Sequence, residues 1–375
     1  MSKNVIICLD GTGNQFNEDN SNVVKLFRVI ERSAEQIAYY DPGVGTLADP
    51  DYKMPIAKKI NKGFGLAFGS GLTKNVEQAY SYLMDHYEQG DKLFLFGFSR
   101  GAYTARVLAG FIHSCGLLEA GCQNLIPYAM KLYKADKVDF KIMRKFRSTY
   151  GRSVKIDFLG LWDSVSTTGW VYNPVFLPYT TNNGSVLAVR QALAIDEKRS
   201  FFKDMRWGDK YRDKQDIKEV WFAGVHSDVG GGYPEAESGL SKLALKWMIE
   251  QVSASKFGLA VDQEKVDRYV LGLGSSKYIG PDSSADAHES LKGAWKLVQW
   301  IPKSVWLVDE EREAIRKPLQ HRMIEAGATL HQSVLDRMKA RPAYKPPSLR
   351  GRSIEQIQKD FDIEPGGGKE PDQSA

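Results

Sequence analysis

A mostly apolar run, Lys92-Leu93-Phe94-Leu95-Phe96, leads straight into Gly97-Phe98-Ser99-Arg100-Gly101, and a helical pattern follows from about Ala102 to His113. No other stretch constrains the fold as strongly. A short run of that composition suits a strand buried on both faces, in the middle of a parallel sheet. Glycines at 97 and 101 let the strand turn abruptly into a helix, which forces Ser99 into a strained conformation with its hydroxyl projecting. The helix N-terminus beneath it offers N–H groups and a positive dipole end to a developing oxyanion. G-x-S-x-G by itself arises often by chance. Strand before and helix after make it a nucleophile elbow rather than a packing turn.

A serine hydroxyl is a poor nucleophile until a base removes its proton, and the base needs an orienting acid. In α/β-hydrolases the order along the chain is Ser, then Asp or Glu, then His, each just past a strand's carboxyl end. Phe158-Leu159-Gly160-Leu161-Trp162 ends at Asp163, which fits the acid; an ordinary strand-end turn residue is the plain alternative. Val220-Trp221-Phe222-Ala223-Gly224-Val225 runs into His226, where a strand gives way to the glycine-rich Gly230-Gly231-Gly232 loop. His86 and His113 lie on helices beside the elbow, and His288 and His321 lie in polar segments. His331, read within a late helix, is the one serious rival as base.

Around these motifs strands and helices alternate, which implies an α/β fold with a mostly parallel sheet flanked by helices, and helical additions toward the C-terminus. Strands are expected at Val5–Leu9, Ala38–Tyr40, Val154–Leu161 and Glu219–Val225. Helices are expected at about Asn22–Ile37, Thr73–Tyr87 and 238–252, with a glycine-rich loop over 43–71. The domain is expected to span 1–350, followed by a tail at 351–375 that is disordered from about 364. Fifty-one Lys and Arg against 46 Asp and Glu leave +5 spread over 375 residues, with no basic block of the kind nucleic-acid binders concentrate on one face. So mild a charge suits transient contact with an anionic membrane surface without requiring it. No run approaches ~18 apolar residues, so no transmembrane helix is expected. The N-terminus reads as a first strand rather than a signal peptide, which implies a cytoplasmic protein. Cys8, Cys115 and Cys122 lack metal-ligand spacing and read as thiols in a reducing compartment.

The set of motifs resembles the α/β-hydrolase domain family that includes the catalytic domains of type VI secretion phospholipase effectors. The matching stretches are Leu9-Asp10-Gly11-Thr12-Gly13-Asn14, Tyr40-Asp41-Pro42-Gly43-Val44-Gly45-Thr46 and the elbow string from Leu95 to Arg106. Trp162-Asp163-Ser164-Val165, Gly224 through Tyr233, His331-Gln332-Ser333-Val334 and Tyr344-Lys345-Pro346 match as well. Together they cover about residues 3–350. The resemblance implies a Ser–Asp–His lipase or phospholipase with Ser99 as nucleophile, Asp163 as acid and His226 as base. It also implies a lipid or ester substrate, and a secretion-apparatus component or an immunity protein as partner, with delivery by a specialised secretion system. Gln191, in a segment read as helical (Arg190–Glu197), stands where the family commonly has histidine.

On this reading Gly11 and Thr12 after the first strand donate one arm of an oxyanion hole and the Arg100 N–H the other; a simple tight turn is the plain alternative. Asp10 and Asp228 are supporting residues, Asp228 either positioning His226 or shaping the pocket. Asp10-Gly11-Thr12 also invites comparison with aspartate-nucleophile phosphatases, but those sites want Asp where this chain has Cys8. No metal or organic cofactor is required, since one carboxylate is too few ligands for a metal. Gly169–Tyr179 and Gly63–Gly69, both apolar and irregular, are candidates for an acyl pocket or lid. Trp295 and Trp300 read as core. The reading is thus an esterase or lipase forming an acyl-enzyme, with a catalytically silent binding protein or an enzyme for small soluble substrates as alternatives.

Overall fold

The structure, a computed structural model, describes residues 2–11, 20–43, 64–135, 139–165, 169–170, 173–174, 177–199, 202–291, 303–307, 312–316 and 322–366 (64–70, 169–174 and 303–316 as backbone only). Its frame is one sheet of β1 (Asn4–Leu9), β2 (Gln36–Asp41), β3 (Lys92–Phe98), β4 (Phe158–Trp162), β5 (Ala188–Ala194), β6 (Asp216–Phe222), β7 (Thr329–His331) and β8 (Asp362–Glu364). The spatial order is β8-β7-β6-β5-β4-β3-β1-β2, and every adjacent pair is parallel.

Period-2 alternation explains why the strands read as unbroken apolar runs. Along β1, Val5, Ile7 and Leu9 enter one core while Ile6 and Cys8 enter the other, so both faces need apolar side chains. The first face is covered by α2 (Phe64–His86), α3 (Arg100–Cys115), α4 (Ile126–Tyr133) and α5 (Phe140–Tyr150). The opposite face is covered by α1 (Asn22–Val29), α7 (Gly239–Ser253) and α8 (Gln263–Tyr269). At the far end α9 (Gln332–Ala340) and α10 (Ile354–Asp360) pack Val334, Leu335 and Ile357 against Leu193, Trp221 and Leu330. The strand order reverses between β1 and β3, which opens a crevice at their carboxyl ends, where open α/β sheets bind ligands. Ser99 follows β3 at that crevice.

Several expectations are corrected. The helix read to Ile37 stops at Val29, with Ile30 extended (φ −62°, ψ 128°), and Ile37 already pairs with Val5 in β2. Pairing with β1 overrides the helical spacing there. The helix read from Thr73 begins at Phe64, so Gly65 and Gly69 lie in its first turns. Arg190–Ala194, read as helical, is part of β5, paired on both sides by β4 and β6. Its polar residues hid it: Arg190 is fully buried but bonds Asp216 and Gln251, and Gln191 bonds Arg106 and the Met205 carbonyl. The segment read as a tail after 350 carries α10 and the edge strand β8. Ser353 and Gln356 form a reciprocal capping box that starts α10, and Ile357 and Phe361 are buried. Thr12, Trp295, Trp300 and residues 367–375 lie outside the described residues, as do the side chains of Phe64–Gly69 and most of Gly169–Tyr179. Within that last stretch the backbone pairs Gly169–Trp170 with Asn173–Pro174.

Candidate active site

Ser99 sits at φ 58°, ψ −122°, the last residue before α3. A non-glycine residue held there stores on the order of 1–3 kcal/mol of strain, and its surroundings must enforce it. They do so by contact of backbone on backbone. A Cβ on Gly97 would lie 2.5 Å from the Gly101 carbonyl oxygen, and one on Gly101 would lie 2.2 Å from that of Leu9. Only glycine lets α3 pass so close to β1 and β3. The Ser99 amide donates to the Trp162 carbonyl at 3.0 Å, tying the elbow to β4.

His226 opens a one-turn helix, α6 (His226–Gly230), which follows the end of β6 at Phe222 after the three residues Ala223-Gly224-Val225. Its Nε2 lies 2.7 Å from Ser99 Oγ and its Nδ1 2.5 Å from Asp163 Oδ2. The rings of Phe98 and Phe202 flank the imidazole, each centroid 4.7 Å away. Asp163 follows β4 with φ 39°, and its Oδ1 also accepts the Ala194 amide at 3.0 Å. Asp163, His226 and Ser99 are 0%, 4% and 8% exposed, so this chain of bonds runs through a nearly dry interior where electrostatic interactions are strong.

A fully buried carboxylate needs a counter-charge. Arg322 supplies it with two bonds, Nη1 to Oδ1 at 2.5 Å and Nη2 to Oδ2 at 3.0 Å. Burial alone would raise the Asp163 pKa, but the Arg322 charge and the His226 bond outweigh it and hold the carboxyl well below its ordinary range. For His226 burial wins: its pKa is lowered despite the opposing pull of Asp163, so the ring is neutral near pH 7. A neutral imidazole donating Nδ1–H to Asp163 presents an acceptor lone pair at Nε2 to the Ser99 hydroxyl. That arrangement can take a proton from the serine.

The backbone at the start of α6 is held by two further acids. Glu197 Oε2 accepts the His226 amide at 3.2 Å, and Asp228 Oδ2 accepts the Val225 amide at 3.0 Å. Glu197 is 1% exposed; burial raises its pKa, but the Arg199 bonds and charge outweigh that and lower it to about 2. Asp196 accepts the Gly224 amide and the Tyr344 hydroxyl, which gives the Tyr344 motif a structural role.

The structure thus brings Ser99, Asp163 and His226 together. Asp228 faces Val225 and His288, not the His226 ring. Asp10 accepts from Ser21 (2.6 Å), Tyr40 (2.9 Å) and the Gly11 amide (2.6 Å), tying down the start of the loop after β1. The Gly11 N–H is therefore already engaged, which departs from its expected part in an oxyanion hole. Arg100 is the first residue of α3, and burial lowers its guanidinium pKa to about 10. His331, expected inside a helix, instead ends β7 and caps α9; it bonds Ser333 at 2.8 Å and stacks on Phe222 with centroids 4.5 Å apart. Sequence reading missed Arg322 and Glu197. Glu197 carries the same signal as Asp163, an acid just past a strand, but β5 had been read as a helix. Arg322, 159 residues from Asp163, carries no local signal.

Residues 3–251 match the family described as type VI secretion system phospholipase effector Tle1-like, catalytic domain. YEL023C, an uncharacterized protein of Saccharomyces cerevisiae, is 35% identical over 222 residues, which cover 54% of this chain and 32% of the yeast protein. The chain thus spans about a third of the length of that relative. Among solved structures, an uncharacterized Pseudomonas aeruginosa protein overlaps 70% of this chain and 47% of its own (19% identity, TM-score 0.41). The Tle1 effector bound to the VgrG spike of the type 6 secretion system overlaps 64% of this chain and 52% of its own (23% identity, TM-score 0.36). The chain belongs to the Tle1-like phospholipase effector catalytic-domain family.

Proposed function

We propose that the protein hydrolyses carboxylic esters of lipids, phospholipids foremost, through an acyl-enzyme on Ser99. The observation that carries this reading is the unbroken line of bonds from Asp163 Oδ2 through the His226 ring to Ser99 Oγ, at 2.5 and 2.7 Å, ending on a strained elbow serine. Family membership supplies the lipid class. Ser99 Oγ attacks the acyl carbonyl carbon while His226 Nε2 takes its proton. Asp163, kept ionised by Arg322, holds Nδ1–H and stabilises the imidazolium that forms. His226 then returns the proton to the leaving alcohol oxygen. Water, deprotonated by the same nitrogen, attacks the acyl carbonyl carbon; the bond from that carbon to Ser99 Oγ then breaks, His226 returns the proton to Oγ, and the acid is released.

The oxyanion of each tetrahedral intermediate is assigned to the Arg100 N–H at the start of α3. Thr12, which lies outside the described residues, stays the proposed second donor on sequence grounds, because the Gly11 N–H already bonds Asp10. Among the described residues no helix is long and apolar enough to cross a membrane, which suits a protein that meets lipid by transient surface contact. Delivery by a secretion apparatus and neutralisation by an immunity protein follow from the family's effector members alone, and co-purification tests them separately.

The test is covalent labelling with a fluorophosphonate probe, followed by turnover of p-nitrophenyl esters, phospholipid vesicles and peptide esters. Labelling of wild type, its absence in Ser99→Ala, and turnover of vesicles are expected. Absence of labelling in the wild type would favour a silent binding protein on this fold. Turnover confined to soluble or peptide esters would remove lipid from the reading and leave the chemistry.

A further inference from the structure

Behind α6 the chain crosses once more, and the chemistry above makes no use of what it brings. His288 Nδ1 lies 2.6 Å from Asp228 Oδ1, and its Nε2 lies 2.8 Å from Glu237 Oε2. Its amide donates to Asp228 Oδ2 at 3.1 Å, and its ring stacks on Tyr233 with centroids 3.5 Å apart and planes at 13°. Glu289 pairs with Lys198 at 2.7 Å, and Ser290 Oγ donates to Glu197 Oε1 at 3.0 Å. Asp228 and Glu197 are the two carboxylates that hold the Val225 and His226 amides. One tripeptide therefore grips both supports of the base.

We propose that His288-Glu289-Ser290 is a strap that positions His226, and that it grips fully only while the His288 ring is an imidazolium. This deepens the reading of Ser99 and His226 as hydrolytic machinery and rests on it. The geometry itself asks for the charge. Each ring nitrogen faces a carboxylate oxygen, and a neutral imidazole donates through one nitrogen only, leaving a lone pair opposed to a carboxylate at the other. An imidazolium donates at both, in charge-assisted bonds. The stacked face of Tyr233 favours the cation further.

The surrounding charges agree. Burial lowers the His288 pKa, but the bonds to Glu237 and Asp228 outweigh it and raise it above the ordinary histidine value. Tyr233 is pushed up to about 12 by burial and is neutral. Glu197, beyond it, is paired with Arg199. Asp282 and Asp286 share with His288 the wall of a cavity of about 620 Å³, and Asp286 pairs with Arg341. Because the folded pKa is raised, the grip is complete below the ordinary value of about 6.5 and is lost as pH rises through the folded value. His226, lowered by burial, is already a neutral base while His288 is still charged. Activity should therefore rise with the deprotonation of His226 and fall with that of His288.

The experiment is a pH profile of kcat and KM for a soluble p-nitrophenyl ester, with fluorophosphonate labelling of Ser99 in parallel, on the full chain and three variants. His288→Gln should lower kcat roughly ten- to a hundred-fold, the scale of a misplaced catalytic group, with little change in KM and no alkaline limb. His288→Arg, permanently charged, should recover much of that loss and extend activity into the alkaline range. Glu237→Gln removes one carboxylate at a side chain that is 56% exposed, so folding is not at stake, and should move the alkaline limb to lower pH. Normal labelling with an alkaline limb that none of the variants moves overturns the strap and leaves the chemistry standing. Absence of labelling in the wild type overturns both. If His288→Gln does not fold, Glu237→Gln and His288→Arg decide between the same outcomes.

Discussion

The two junctions that carry Ser99 and His226 are held in opposite ways. At the β3–α3 junction the Ser99 backbone is fixed from within a few residues or by the backbones of the two flanking strands: Gly97, Gly101, the Leu9 carbonyl of β1 and the Trp162 carbonyl of β4. At the β6–α6 junction the local hold on His226 is Asp228, which accepts the Val225 amide, and the rest is remote. Its ring depends on Asp163 and, through it, on Arg322; its backbone depends on Glu197 and Asp228; and these are gripped in turn by His288 and Ser290. Ser99 is held by steric exclusion and His226 by charge. Steric constraint is insensitive to pH and salt, whereas a network of buried charges fails as a unit once a member loses its partner.

Substitutions should separate the two modes. The largest effect belongs to Ser99→Ala, which should abolish ester turnover down to the ~10³–10⁴-fold over water that binding and oxyanion donors alone provide, with an unchanged thermal midpoint. Near-native kcat in that variant would break the comparison at its first member. Asp163→Asn should lower kcat by up to about four orders of magnitude, because the amide disfavours the productive tautomer and weakens the Arg322 pair.

Arg322→Met tests the charge-held junction from a distance. It leaves Asp163 buried without its cation, at a cost of about 3–5 kcal/mol in urea unfolding, more than most single substitutions. Gly101→Ala is its steric counterpart, expected to cost about 1–3 kcal/mol by forcing α3 off β1, with a loss that does not vary with pH. If the losses in both variants followed pH alike, the distinction between the junctions would be gone.

The pH dependence of stability follows from the same charges. The His226 pKa is lowered in the fold, so the unfolded chain binds its proton first, and stability should fall as pH drops below about 6.5. Asp163 is lowered as well; its contribution is present above the unfolded value near 4 and is lost as pH falls further, toward its low folded value. Urea midpoints that stay flat between pH 7 and about 4 would contradict the first, and midpoints that stay flat below about 4 the second. The smallest effect is assigned to His331→Gln. It should cost up to about 1 kcal/mol as a lost helix cap and leave kcat unchanged; a large drop in kcat would return the rival base to contention.

Legibility followed the same division. The elbow was readable because its requirements are local: an apolar strand, two glycines and a helix start. Asp163 and His226 were legible as candidates because each follows Ser99 in the chain and lies past a strand end. Glu197 was hidden by a single misread strand, since Arg190 and Gln191 look out of place in a buried strand until their partners are seen. The chain end was misread for a related reason: Pro346-Pro347 and Gly366-Gly367-Gly368 suggested a tail, yet Ser353-Ile354-Glu355-Gln356 between them is a capping box that starts a buried helix.

The linear sequence by itself determined the fold class, the elbow and the order of the three polar residues, because period-2 apolar runs, glycine spacing and chain order are properties of neighbours along the chain. Tertiary structure alone decided which cation keeps Asp163 ionised, which carboxylates hold the α6 backbone and what grips them. Those partners come from residues as far apart as 163 and 322, or 228 and 288, whose pairing is set by the packing of the sheet's carboxyl edge. A buried charge must find its counter-charge wherever the fold brings one, and no spacing rule in the sequence says where that will be.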